Sequence, residues 1–382
     1  MKTTRIALIL VLLAAGLLAA FLIFGNPIAK KRSYVLGAIG NFNGKNAQVG
    51  VEAFNAINLA YAEYKNTHPN GFDLNILSVD DSWEPSKSLP AYLSCISNVD
   101  LLIILTGSSS FMLIYDEVLK HPEILHYALG PTTTLLSGKQ DNVVRNLCDM
   151  EKEQKMIAEF ASSRKIERLL IVIETDFNAK YTEPAARYFQ QYAHIPFVDV
   201  VGISGNLMVT DKVKELLQAN HYDAMYALIG GMPRESAILI QQARAIQKDI
   251  PVLITPWIRG LIFEQALGGE NNHIFMPCHL KLFNNPSIDH FSAAYEKMFG
   301  AESKEYFSPL MYDLANSLFE TLDKTGSAKT SRLLPALISS EFKGTSGTVR
   351  FDSYGDAESQ MNFYEMKDGI WHDLSPESAG NP

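Results

Sequence analysis

The chain has 382 residues, 47% of them hydrophobic and 20% charged, with a formal net charge of −9. That composition is ordinary for a globular protein, and the length suffices for two domains with a core in each. The first 32 residues hold Lys2, Arg5, Lys30, Lys31 and Arg32 and no acid, so the body carries five more negative charges than the whole, −14, which argues against binding nucleic acid or anionic lipid through bulk electrostatics.

Lys2 and Arg5 precede Ile6–Phe24, an uninterrupted apolar stretch of about 19 residues, long enough to span a bilayer. Residues 1–32 are therefore expected to be a signal peptide or an N-terminal membrane anchor. On either reading the body from Ser33 is expected outside the cytoplasm, periplasmic or otherwise extracytoplasmic, tethered to the inner membrane if the segment is retained. No Cys precedes Cys95, so no lipoprotein start is expected. Cys95, Cys148 and Cys278 make no CxxC or Cys/His set; no structural metal is expected, and three separate buried thiols are the default.

Tyr34–Ile39 reads as the first strand, running into the glycine-rich turn Gly40–Gly44. A helix is expected over Val49–Asn66, a strand over Phe72–Val79 ending in Asp80-Asp81, and a helix over Ser86–Ser97. Leu101–Leu105 is a short unbroken apolar run, the mark of a strand buried on both faces of a parallel sheet. It ends in Thr106-Gly107 and three serines, and Phe111–Lys120 then has helical spacing. Gly107–Ser110 is thus a strand-to-helix turn, where open α/β sheets bind ligands and where hydroxyls and helix-start N–H groups face an anion. The plainer alternative is a Ser N-cap. His126–Leu129 enters a second polar turn, Gly130-Pro131-Thr132-Thr133-Thr134.

The alternation then restarts. Helices are expected over Met150–Ser162, Pro184–Tyr192, Lys212–Ala219 and Glu235–Ile246. Strands are expected over Arg168–Ile173, Phe197–Val201, Ala224–Ile229 and Val252–Thr255. Further helices follow at Ser287–Phe299, Met311–Lys324 and Leu333–Ser339. The chain finishes as Gly344–Asp352 and Asn362–Met366, read as a hairpin around Tyr354-Gly355-Asp356. Two α/β lobes with several crossings imply a ligand cleft between them.

Several stretches together carry a resemblance to a known family. They are VLGAIGNFNGKNAQVGVEAFNAINLA (Val35–Ala60), Asp80-Asp81 followed by Pro85, Gly107-Ser108-Ser109-Ser110, Gly130-Pro131-Thr132-Thr133, Tyr181 in DFNAKY, and the closing Gly347–Asp356 with Phe363–Trp371. In order and spacing, Ser33–Asp373 resembles the type I periplasmic binding proteins, most of all the leucine/isoleucine/valine-binding branch of ABC transporter substrate-binding proteins. The resemblance implies two Rossmann-like lobes with a cleft between them and several hinge crossings. The expected division is 33–148 with 280–342 as the first lobe, 149–279 with 343–376 as the second, and 377–382 as a tail.

The resemblance also implies that the first lobe's Ser and Thr loops hold a ligand carboxylate, a role that falls on Ser108, Ser109, Thr132 and Thr133. Tyr181, Met232 and Trp257 would close from the second lobe. The second lobe departs from the family pattern: where the family carries an acid to pair with the ligand's ammonium, this chain has Trp257, and a family tyrosine near Gly230-Gly231 is Met232. An indole offers a π face and one N–H but no negative charge. The ligand is thus expected to lack a plain α-ammonium, unless Glu174, Asp176, Glu235 or Glu264 supplies the charge.

Competing classes have weaker support. The glycines at 37, 40 and 44 do not make GxGxxG, TGSSS is neither GxSxG nor a P-loop, and no HExxH occurs. No enzymatic activity and no cofactor are expected. The expectation is a monomeric solute-binding protein that captures a small carboxylate, amide or amino-acid-like ligand by hinge closure and delivers it to the membrane permease of an ABC importer. The alternatives are a ligand-binding sensor subunit for a membrane receptor or kinase and, more remotely, an α/β enzyme.

Overall fold

The computed structural model describes residues 31–44, 46–204 and 210–374. The apolar stretch Ile6–Phe24 and the tail at 377–382 lie outside the described residues. Among the described residues no helix is long and apolar enough to cross a membrane.

The first sheet holds β1 (Ser33–Gly40), β2 (Asp73–Asp80), β3 (Leu101–Leu105), β4 (Leu125–Leu129) and β5 (Val143–Arg145). All five run parallel in the order β2-β1-β3-β4-β5. β3 lies at the centre with all five side chains buried, as an apolar run flanked by turn residues requires. The second sheet begins with β6 (Arg168–Glu174), β7 (Phe197–Ile203), β8 (Ala224–Leu228), β9 (Val252–Ile254) and β10 (Ile274–Cys278), also parallel. A small antiparallel sheet follows: β11 (Phe342–Gly344), β12 (Gly347–Phe351) and β13 (Ala357–Glu358). β14 (Asn362–Lys367) and β15 (Ile370–Asp373) then complete the second sheet, giving β15-β14-β10-β9-β8-β6-β7.

The chain crosses between lobes after β5, after β10 and before β14, and the three crossings touch. The Cys148 N–H donates to Ser359 Oγ at 3.0 Å, and Cys148 Sγ lies 3.8 Å from His279 Nε2. All three cysteines are buried, free thiols. Burial holds His279 neutral, with its pKa down at about 3.

Three expectations need correction. The closing strands do not form a hairpin with each other: β12 pairs with β11 and β13, whereas β14 adds to β10 and turns through Asp368-Gly369 into β15. The sequence reading missed β10, and so missed the edge that captures β14. Residues 342–358 also lie against the first lobe: β11 packs on the helix Phe307–Thr325, β12 on Thr330–Ile338, and Asp356 pairs with Arg145 of β5. The expected division sends everything from 343 to the second lobe; the Arg145–Asp356 pair instead keeps this segment with the first sheet. Finally, the helix expected from Pro184 begins at Ala179, because the Asn178 carbonyl accepts the Tyr181 and Thr182 N–H groups at 2.8 and 3.1 Å. Tyr181 is therefore a helical residue, not a loop residue.

Candidate ligand cleft

Parallel strands aim their carboxyl ends one way, and the ends of β3 and β4 face those of β6, β8 and β9 across a gap. Thr106, Gly107, Ser110 and Gly130 line it from the first lobe. Phe177, Asn178, Tyr181, Gly230, Gly231 and Trp257 line it from the second, with Trp83 and Phe307 completing the wall. The cavity they enclose is small, about 30 Å³. At Gly130, φ is +112° and a Cβ would sit 2.4 Å from the Thr106 carbonyl oxygen, so only glycine lets β3 and β4 end side by side here.

The first-lobe turns are held by the paired acids. Asp80 accepts the Phe42 and Asn43 N–H groups at 2.6 and 3.0 Å. Asp81, fully buried, accepts from the Trp83 N–H at 3.0 Å and from Thr106 Oγ1 at 3.2 Å. Burial raises the pKa of Asp81, against these hydrogen bonds. The turn places Trp83 on the cleft, its Nε1 donating to the Leu105 carbonyl at 3.1 Å.

Trp257 occupies a short turn of the second lobe just past β9, is 8% exposed, and touches both lobes. Its ring stacks on Phe307 of the first lobe (centroids 5.9 Å, planes 19° apart) and meets Tyr181 edge-on (5.9 Å, 89°).

The lobes are in contact. The Ser109 N–H donates to Asn178 Oδ1 at 3.1 Å, and the Lys180 N–H donates to Ser109 Oγ at 3.3 Å. Thr134 Oγ1 and the Tyr188 hydroxyl lie 3.3 Å apart. A Cβ at Gly107 would come within 3.2 Å of Asn178 Nδ2, and one at Gly230 within 2.8 Å, so the Asn178 amide fits between two glycines.

The seven expected ligand residues divide. Tyr181 and Trp257 line the space. Ser108 and Thr132 adjoin it, next to Gly107 and near Gly130; both are 1% exposed, and Ser108 Oγ and Thr132 Oγ1 are buried without a partner. Trp257 Nε1 is likewise buried and faces the Tyr181 hydroxyl. Ser109 is engaged by the facing lobe. Thr133 is spent locally: its Oγ1 accepts the Leu135 N–H at 3.3 Å and its carbonyl accepts from the buried Arg145 at 2.9 Å. Met232 is not among the lining residues; it sits in the left-handed region at φ +59° and starts the helix Pro233–Ile246.

Sequence reasoning missed Trp83, Phe177, Asn178, Phe307 and one acid. Glu153 lies on the helix Met150–Ser162, fully buried. Its Oε1 accepts from the Tyr181 hydroxyl at 2.5 Å and from Gln154 Nε2 at 3.0 Å, while its Oε2 is unpartnered. Burial pushes its pKa from 4.5 up to about 7, against those hydrogen bonds. A signal was present: Met150, Glu153, Gln154, Ile157, Ala158 and Ala161 share the buried stripe, so two polar residues interrupt an apolar face. None of the four acids weighed from the sequence lines the cleft. Glu174 is buried, with its pKa pushed up to about 7, and accepts the Asn178 N–H through both oxygens at 2.8 and 3.0 Å. Glu264 accepts from Trp371 Nε1 at 3.0 Å. Among the described residues no group of His, Cys, Asp and Glu could hold a metal ion.

Residues 33–370 match the family model described as periplasmic binding protein. The chain belongs to the periplasmic binding protein family. No curated protein matches it at significant similarity. Solved structures share the fold of this periplasmic binding protein at low identity. The leucine binding protein LivK of Thermotoga maritima is 19% identical with a TM-score of 0.78, over 90% of this chain and 99% of that one. The branched-chain amino acid transporter substrate binding protein LivJ of Streptococcus pneumoniae, in complex with isoleucine, is 16% identical with a TM-score of 0.77, over 90% and 100%. An ABC transporter solute binding protein of R. palustris, in complex with benzoate, is 15% identical with a TM-score of 0.74, over 90% and 95%.

Proposed function

We propose that this periplasmic binding protein captures a small carboxylate-bearing ligand, an amino acid or a relative of one, by closing its lobes, and delivers it to the permease of an ABC importer. One observation carries the reading: Ser108 Oγ and Thr132 Oγ1, at the ends of adjacent strands, are buried without a partner at the closed cleft. A buried hydroxyl without a partner costs about 1–3 kcal/mol, which a ligand oxygen would recover. The structural relatives that bind leucine, isoleucine and benzoate share a carboxylate on otherwise different ligands.

Closure explains how capture signals occupancy. The ligand docks on the first lobe, and Phe177, Tyr181 and Trp257 enclose it from the second. The Ser109–Asn178 and Lys180–Ser109 contacts form only when the lobes meet, so a ligand that bridges them shifts the population toward the closed surface that a permease would read. The reading involves no chemistry on the ligand.

A thermal-shift screen of carboxylates, amides and amino acids, followed by small-angle scattering of each hit, tests this. A ligand at 100 times its Kd adds about 2.7 kcal/mol, and the radius of gyration should fall on binding. A hit that leaves the radius unchanged would contradict capture by closure.

A further inference from the structure

We propose that the protein carries a second ligand site beside the cleft, between Arg259 and Glu305, which takes a small aryl carboxamide. Arg259 Nε donates to the amide carbonyl, and Glu305 Oε1 accepts from the amide nitrogen. The site is separate from the carboxylate position at Ser108 and Thr132.

A second cavity of about 260 Å³ lies between the lobes, far larger than the 30 Å³ of the cleft. Arg259 and Trp371 line it from the second lobe, and Phe291, Glu305 and Pro309 from the first. Two polar atoms of these residues, Arg259 Nε and Glu305 Oε1, are buried without a partner. Glu305 is only 4% exposed. A buried guanidinium N–H and a buried carboxylate oxygen are each costly to leave bare unless something completes them. Burial pushes the Glu305 pKa up to about 7, with Glu52 adding to the rise and Arg259 opposing it. The two charges thus sense each other, yet Nε bonds no acceptor.

The chain fixes both groups. Arg259 follows the turn that carries Trp257, and Glu305 precedes Tyr306 and Phe307, whose rings meet the Trp257 ring at 5.8 and 5.9 Å. The segments 257–259 and 305–307 therefore lie against each other across the lobe gap. Their aromatic end, Trp257 and Phe307, lines the cleft, and their charged end, Arg259 and Glu305, lines the second cavity. The Glu305 N–H donates to Glu52 Oε2 at 3.2 Å, and Glu305 Oε2 leaves no room for a Cβ at Gly260. Glu305 is thus seated against both lobes, and Oε1 is the oxygen left for a ligand.

The pair supplies the ligand class. A carboxylate would satisfy Arg259 but set a second anion against Glu305, with Glu52, Glu264 and Asp289 close by. An ammonium would satisfy Glu305 but leave Arg259 Nε–H facing a like charge. A carboxamide presents an acceptor and a donor side by side and adds no charge. Much of the remaining wall is apolar, from Leu280, Phe283, Phe291 and Pro309, with the ring of Trp371, whose Nε1 is committed to Glu264 at 3.0 Å. An apolar cavity of about 150 Å³ suffices for benzene, so this one has room for an aryl ring and its amide.

The test titrates the purified, 15N-labelled full chain with benzamide, benzoate and benzylamine, which share a ring and differ in the polar group. The pH is held at about 8, above the Glu305 pKa, so that Glu305 accepts. The indole N–H signals of Trp371, which lines the second cavity, and Trp83, which lines the cleft, report which space is filled. Trp371→Phe and Trp83→Phe assign them. Benzamide should shift Trp371 and leave Trp83 in place, and should titrate Trp371 about tenfold or more tightly than either relative. Arg259→Met should weaken that titration about tenfold or more, with circular dichroism melting reporting whether the variant is folded. Benzamide that shifts Trp83 alone, or neither signal, overturns the second site. Benzoate or benzylamine that titrates Trp371 as tightly as benzamide overturns the ligand class, and a folded Arg259→Met that binds benzamide as the wild type does overturns the role of Arg259. Each of these results leaves the reading of Ser108 and Thr132 standing.

Discussion

Asn178 Oδ1 accepts the Ser109 N–H at 3.1 Å from the opposite lobe. Ser109 is the second residue of the helix Ser108–Val118, and Asn178 precedes the helix Ala179–Tyr192. Two helix starts, one per lobe, are thus joined by the Asn178 amide, seated between Gly107 and Gly230, beside the Lys180–Ser109 hydrogen bond. The Asn178 amide can hold its place because Glu174 fixes its backbone N–H.

Asn178→Ala removes this link without touching either core. The expected result is a more open ligand-free protein, with a larger radius of gyration in small-angle scattering. Ligand affinity should weaken about fivefold to tenfold, the worth of one neutral hydrogen bond. A ligand-free radius identical to wild type would show that the contact does not hold the lobes together.

Arg145 is a structural anchor for the Thr132-Thr133 loop. It is 1% exposed, donates to Asp356 at 2.7 Å and to the Thr133 carbonyl at 2.9 Å, and reaches Ser137 Oγ at 2.9 Å. Arg145→Ala leaves Asp356 buried and unpaired, a loss of about 3–5 kcal/mol. At about 2–4 °C per kcal/mol, thermal unfolding should show a drop of roughly 6 °C or more. A drop of a degree or less would mean that the pair is easily replaced.

The Glu153 pKa makes stability depend on pH with a definite sign. Its folded value of about 7 lies above the ordinary 4.5, so the folded state holds a proton that the unfolded chain releases. Its contribution is fully present below pH 4.5 and is lost as pH rises through about 7. At about 1.4 kcal/mol per pH unit the full loss is roughly 3 kcal/mol. Buried His126 and His279, held neutral with pKa values down at about 3, act in the opposite direction below pH 6.5, so the wild-type profile is mixed. The difference between Glu153→Gln and wild type isolates the one group: the variant should gain in relative melting temperature from pH 5 to pH 8. A constant difference across that range would contradict a raised Glu153 pKa.

Much of the architecture is written in local pattern. LLIIL at Leu101–Leu105 declares a buried strand, and the polar turns after it and after β4 declare where a ligand would lie. The errors arise where partners are distant in sequence. β10 is short and carries Pro277, so it reads as loop until β9 and β14 flank it. The pairing of Arg145 with Asp356 spans 211 residues, and no periodicity announces it. Within the site, motif order pointed to Ser108 and Thr132, but it could not distinguish Thr133, whose oxygens are used locally, or Ser109, whose partner lies in the other lobe. Glu153 was visible only as a polar interruption of a buried stripe, and its neighbour Tyr181 comes from a separate helix.

The central claim is that a ligand carboxylate docks on the unpartnered hydroxyls of Ser108 and Thr132. The most direct measurement is calorimetric titration of a thermal-shift hit into wild type and into Ser108→Ala/Thr132→Ala. Two hydrogen bonds to a charged oxygen are worth about 1.5–3 kcal/mol each, so the double variant should lose at least about 100-fold in affinity while keeping its melting temperature. A folded double variant that binds with wild-type affinity would contradict the account and place the ligand elsewhere.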